Sequence, residues 1–139
     1  MIRLKEKPNT MKKHFTLILK IIAAVILLQT LFYKFSGATE SVELFTKLAG
    51  ENEAYMRIGT GVLEQIASLL LFLPRATWLG ALMVTGLMSG AVFSHLTKIG
   101  IAHNNDGGLL FGSAILILVI GLIVLFKERK NIPILGDKF

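Results

Sequence analysis

Cysteine is absent from this 139-residue chain, which excludes disulfides, thiolate metal sites and thiol redox chemistry performed by the chain itself. The redox compartment therefore cannot be read from cysteine usage. Charge is scarce too: Asp, Glu, Lys and Arg make up 17% of the residues, against 53% hydrophobic. Soluble domains carry about 25% charged residues, so this balance points to a membrane protein. Also missing are a glycine-rich phosphate loop, a nucleophile elbow and a carboxylate dyad, so no catalytic residue is assigned. "HNNDGG" at 103–108 lacks the regular oxygen ligands and closing Glu of a calcium loop. His95 and His103 do not form a metal-ligand spacing, and no metal site is expected.

What charge there is has a pattern. The net charge of +6 comes from basic residues that flank apolar segments and do not interleave with aromatics. That arrangement suits a lipid bilayer surface and speaks against nucleic acid as a partner. Four apolar segments, at 15–35, 54–73, 76–96 and 109–126, each approach the roughly 20 residues that a membrane-crossing helix needs. Pro74 stops the second, because it cannot donate to a continuing helix, and Arg75 marks a very short turn. Asp106 is a natural cap before the fourth. Tyr33, Tyr55 and Trp78 fall near segment ends, where amphipathic rings favour the interface.

Arg3, Lys5, Lys7, Lys12, Lys13, Arg75, Lys127, Arg129, Lys130 and Lys138 all fall on one side if the segments alternate direction. Glu40, Glu43, Glu51, Glu53 and Asp106 fall on the other. The positive-inside rule then places both termini in the cytoplasm. The expected fold is all-α: an integral membrane antiparallel four-helix bundle spanning 15–126, between basic cytoplasmic tails at 1–14 and 127–139. The expected location is a bacterial cytoplasmic (inner) membrane. The first segment is too long for a usual signal core, lacks a clear cleavage site and is followed by three more, so it reads as a retained helix. Met11 offers a second plausible start, which would make the first ten residues an extension.

Residues 36–53 form the one connection with internal organisation. Val42, Phe45, Leu48 and Ala49 recur at helical spacing, Glu43 and Lys47 fall elsewhere, and Gly50 is a natural stop. A short outer helix on the membrane surface or over the mouth of the bundle fits this pattern, and so does an ordered loop.

The second segment holds an acid. On a wheel of about 100° per residue, Arg57, Thr60, Gly61, Glu64, Ala67 and Ser68 share one face, opposite Val62, Ile66, Leu69, Leu70 and Leu73. Glu64 should point into protein, among small residues that let a neighbouring helix come close. With a rise of about 1.5 Å per residue, it lies roughly 15 Å below the outer end of the segment, with Arg57 roughly 10 Å above it. A carboxylate at the centre of a membrane helix costs on the order of 3 kcal/mol. Glu64 is therefore either neutral or paired. Lys34, Gln29, Arg57, Ser89, His95 and Ser113 are the available partners. On the third segment Gly86, Ser89, Gly90 and Phe93 share one face, and Met88, Ala91 and His95 lie nearly opposite, so both faces cannot address Glu64. Gly61, Gly86 and Gly90, with Gly108 and Gly112 near the fourth segment, are the expected close-packing positions.

"LLQTLFYKFSG" ending at Gly37, "RIGTGVLEQIASLLLFLPRATWLGALM" from Arg57 to Met83, and "GAVFSHL" from Gly90 to Leu96 together resemble the DoxX and DoxX-like membrane proteins. These pieces span about half the chain, and the matching positions are Lys34, Arg57, Glu64 and His95. The resemblance implies a four-helix membrane protein that associates with redox proteins or, in distant relatives, assists assembly of other membrane proteins. The lack of cysteine speaks against direct thiol exchange. The expected role is an accessory or anchoring subunit of a membrane redox complex, non-enzymatic on its own, with redox enzyme subunits or a second copy as partners. No covalent cofactor is expected; a quinone or lipid headgroup would bind near Glu64, with Arg57, Lys34, His95 and Gln29 as the other binding candidates. Two alternatives stay open: a small proton or solute transporter using Glu64, and an assembly factor or helix-packing partner with no chemistry of its own.

Overall fold

The computed structural model describes residues 6–101 and 108–132, and no strand occurs among them. Five α-helices follow one another: α1 (Glu6–Ser36), α2 (Thr39–Ala49), α3 (Glu53–Leu71), α4 (Thr77–Ser94) and α5 (Leu109–Lys127). A short 3-10 turn, Gly50–Asn52, links α2 to α3, and a π turn, His95–Ile99, continues α4. Packing runs α1 to α3, α3 to α4, α4 to α5 and α5 back to α1, while α2 lies against α3, α1 and the π turn.

Three helical stretches are long and apolar enough to cross a membrane: His14–Ser36, Thr77–Ile99 and Leu109–Lys127. The segment expected at 54–73 is a helix of 19 residues but is not among them. It carries Glu53, Arg57 and Glu64, and its apolar residues concentrate on the outer face. The other difference is at the start, where α1 begins at Glu6 inside the stretch expected as a tail and runs through Met11. The proposed Asp106 cap and most of the "HNNDGG" turn lie outside the described residues.

The ends of the helices are closed by specific bonds. At the end of α1, Gly37 takes φ +70° and the Ala38 N–H donates to the Tyr33 carbonyl at 3.1 Å. This is the Schellman arrangement, in which a left-handed residue lets the chain turn back onto its last carbonyls. Between α3 and α4 the buried Thr77 hydroxyl lies 3.1 Å from the Leu71 carbonyl and 2.8 Å from that of Leu73. It meets carbonyls at the end of α3, where helical donors run out; that of Leu73 also accepts the Ala76 N–H at 3.0 Å.

The main core joins the four long helices through Ala23 and Leu27 of α1, Ala67 and Leu71 of α3, Ala81, Val84 and Met88 of α4, and Ile117, Ile120 and Val124 of α5. Large side chains also cover the outside: Phe32 is 70% exposed, Leu69 63% and Phe126 65%. Apolar surface on both the inner and outer faces is what a helix in lipid requires. A smaller cluster of Leu44, Phe45 and Ile99, backed by Leu48 and Leu110, holds α2 to the π turn. The connection between the first and second long helices is thus a helix, with Val42, Leu48 and Ala49 partly buried and Glu43 and Lys47 exposed.

Candidate functional site

The buried face of α3 comprises Arg57, Gly61, Glu64, Ala67, Ser68 and Leu71, which matches the polar, small-residue side of its wheel. Glu64 is 2% exposed. The group opposite it is Lys34: the ammonium Nζ lies 3.1 Å from Oε1 and 3.1 Å from Oε2. Its remaining contact is the Thr30 hydroxyl oxygen at 3.4 Å, one turn back along α1. Thr30 in turn donates its own hydrogen to the Leu27 carbonyl at 2.8 Å. The Lys34 ammonium thus sits astride the carboxylate, with the Thr30 oxygen as a third neighbour. Taking both charges out of water is expensive, and only this kind of two-oxygen geometry with further hydrogen bonds repays much of that cost.

Arg57 does not reach Glu64. Its Nε lies 3.0 Å from Glu53 Oε2, one turn earlier on α3, and its Nη1 donates to the Lys34 backbone carbonyl. That carbonyl is in the last turn of α1, where helical acceptors run out and the helix dipole is negative. One residue of α1, Lys34, is therefore held to α3 at both its ammonium and its carbonyl. The Glu53–Arg57 pair, at i,i+4 spacing, was not singled out from the sequence, although that spacing is a readable signal.

His95 is 3% exposed at the start of the π turn. Its Nδ1 is 3.0 Å from the Gly100 carbonyl, and its ring stands edge-on to Phe111 with centroids 5.5 Å apart. Gly100, at φ +90°, returns its own N–H to the His95 carbonyl at 2.8 Å. On α4, Met88 and His95 are buried and Phe93 is 67% exposed, yet Gly86 and Gly90 from the face of Phe93 line the same space as Met88 and His95.

A cavity of about 710 Å³ brings the polar groups together. Lys34, Glu64, His95 and Gln29 all line it, and Arg57 does not. Apolar side chains form most of its wall, among them Leu27 from α1, Leu44 and Phe45 from α2, Met88 from α4 and Ile117 from α5. This volume and lining, apolar with a few convergent polar groups, are those of a small-molecule site. Among the described residues no group of three His, Cys, Asp or Glu side chains could hold a metal ion.

The glycines do not all pack where their spacing suggests. A Cβ on Gly86, Gly90 or Gly112 would meet nothing within 4 Å, so none of them carries a close helix contact; Gly86 and Gly90 border the cavity instead. Gly108 has φ +84° immediately before α5, so its role is conformational, not helix packing. At Gly61 a Cβ would come within 2.8 Å of the Phe35 ring. Similarly close approaches occur at two positions that the spacing did not single out: Gly80, 2.7 Å from the Leu71 nitrogen, and Gly121, 2.9 Å from the Thr85 hydroxyl oxygen.

No curated protein and no solved structure gives a match to this chain. The family model named DoxX matches residues 15–97, from within α1 into the π turn. That span contains Lys34, Glu64 and His95 as well as three of the four long helices. With further helices apolar enough to cross a bilayer, the chain is an integral membrane protein that belongs to the DoxX family.

Proposed function

We propose that this DoxX-family protein is a four-span inner-membrane subunit, with both termini in the cytoplasm, that holds a neutral amphiphile in its cavity. In this reading α3 is the fourth span, its charges masked by Lys34 and by the Glu53–Arg57 pair. The protein has no turnover of its own and acts as an accessory or anchoring subunit of a membrane redox complex. The bound molecule is a quinone or the headgroup of a lipid. The observation that carries the reading is the joining of the Lys34–Glu64 pair and the His95 ring in one mainly apolar cavity. An ion pair presents strong local dipoles while carrying no net charge, which suits a polar but uncharged head with an apolar tail.

The test is purification of the full chain in a mild detergent, followed by mass spectrometry of extracted lipids and of copurifying proteins. Stoichiometric amphiphile together with a redox enzyme subunit is the expected result. A preparation with neither, from cells whose respiration is unchanged by deletion of the gene, would overturn it. A transporter using Glu64 would instead show solute or proton flux in proteoliposomes that Glu64→Gln abolishes.

A further inference from the structure

The outward face of α3 carries a single polar side chain. From Ile58 to Leu71 its exposed residues are aliphatic or glycine, except Gln65. This residue follows the buried Glu64 but does not line the cavity. At about 100° per residue, Ile58, Val62 and Leu69 share its side within an arc of about 60°, and all three are exposed. With a rise of about 1.5 Å per residue, Gln65 lies roughly 18 Å from the start of α3 and roughly 9 Å from its end. Its level is therefore inside the hydrocarbon layer when α3 is the fourth span, the reading on which this inference rests.

An amide at that depth needs a partner that lipid tails do not supply. Among the described residues Gln65 makes no hydrogen bond. Its side chain holds both N–H donors and a carbonyl acceptor, so an identical amide facing it satisfies both. The two are complementary in charge, because the partly negative oxygen of each meets the partly positive N–H of the other. Two copies inserted in the same direction and related by a two-fold axis along the membrane normal lay α3 beside α3 in parallel. Gln65 then stands level with its own copy, whereas a partner of different sequence would need an amide of its own at the same depth. Ile58, Val62 and Leu69 bring no charge that would repel a second copy. Glutamine is among the side chains that link membrane helices by hydrogen bonds.

We infer that the chain forms a two-fold dimer through the outer face of α3, with the Gln65 amides hydrogen-bonded to each other across the axis. The cavity meets α3 at Met56, Thr60 and Glu64, so this face is separate from the ligand site.

The lack of native cysteine makes the test clean, since a product of twice the chain mass from a single-cysteine variant can only join two copies. On oxidation of the full chain in liposomes at high lipid dilution, Val62→Cys and Leu69→Cys should cross-link. Leu63→Cys should not, although Leu63 is about as exposed as Val62, because it lies about 160° round the helix from Gln65. Adding Gln65→Leu to Val62→Cys should slow cross-linking about ten-fold, the order expected for loss of a hydrogen-bonded pair within a membrane. Treating Leu63→Cys with a membrane-impermeant maleimide, in membrane fragments open on both sides, should leave it unlabelled; labelling would overturn α3 as a span and the dimer with it. With Leu63→Cys unlabelled, three results would each overturn the dimer alone: no cross-link at Val62→Cys, equal cross-linking at Val62→Cys and Leu63→Cys, or a rate untouched by Gln65→Leu.

Discussion

Around Gly80 and Gly121 the helices touch, whereas a Cβ on Gly86, Gly90 or Gly112 would meet nothing within 4 Å. The first region is dry: it adjoins Ala67, Leu71, Ala81, Val84, Ile120 and Val124, all buried. In the second, Gly86 and Gly90 border the cavity that holds Lys34, Glu64 and His95. One helix, α4, passes through both. The difference teaches that glycine spacing in a membrane helix does not say whether the gap it creates is filled by a neighbouring backbone or left as space. In the dry region the gap lets α4 lie against the backbone of α3. In the polar region it widens a pocket.

The sharpest way to break this comparison is to remove one partner of the buried pair. Lys34→Met or Glu64→Met alone should cost about 3–5 kcal/mol, because each strands the other charge in a low-dielectric site. The double variant should be more stable than either single one, since no charge is then left unpaired. Unfolding in mixed micelles measures all three, and additive losses would deny the coupling. Next in size is Gly80→Ala, where the new methyl would press on the backbone of Leu71 and Ala67; overpacking of this kind costs about 1–3 kcal/mol.

Arg57→Leu leaves one α1 carbonyl and the part-exposed Glu53 without their donor, and the loss should be about 1.5–3 kcal/mol, the contribution of the bond from the charged group to the carbonyl, with little added by the exposed pair. Hydrogen exchange should locate the effect at the end of α1, with faster exchange at Ala38, whose N–H closes the turn there. The smallest effect is expected at Gly86→Ala and Gly90→Ala. Nothing meets their Cβ, and alanine favours helix, so thermal stability should hold or rise by up to about 1 kcal/mol. A large loss at either would erase the contrast with Gly80.

Much of this was legible in the sequence. Hydrophobic runs located the four long helices to within a few residues, apart from the early start of α1, because each is a long apolar run bounded by charged or turn residues. The inward face of α3 was legible because its polar and small residues fall on one side. The partner of Glu64 was not: Lys34 stood beside five other candidates, since α1 is apolar nearly all round and its own pattern does not fix which way it turns. Gly80 and Gly121 were hidden for the same reason, as both lie in helices whose apolar residues are spread over every face. The π turn at His95 carries no simple periodic signal, and the cavity exists only once α2 and all four long helices meet.

The central claim is that the space beside Lys34 and Glu64 is a ligand site. Native mass spectrometry of the full chain released from nanodiscs tests it most directly, comparing wild type with Gly90→Leu, which fills the cavity from a position with open room. The account predicts one added amphiphile mass on the wild-type protein and its loss in Gly90→Leu with the fold intact. The same adduct on both proteins, or none on the wild type, would contradict it.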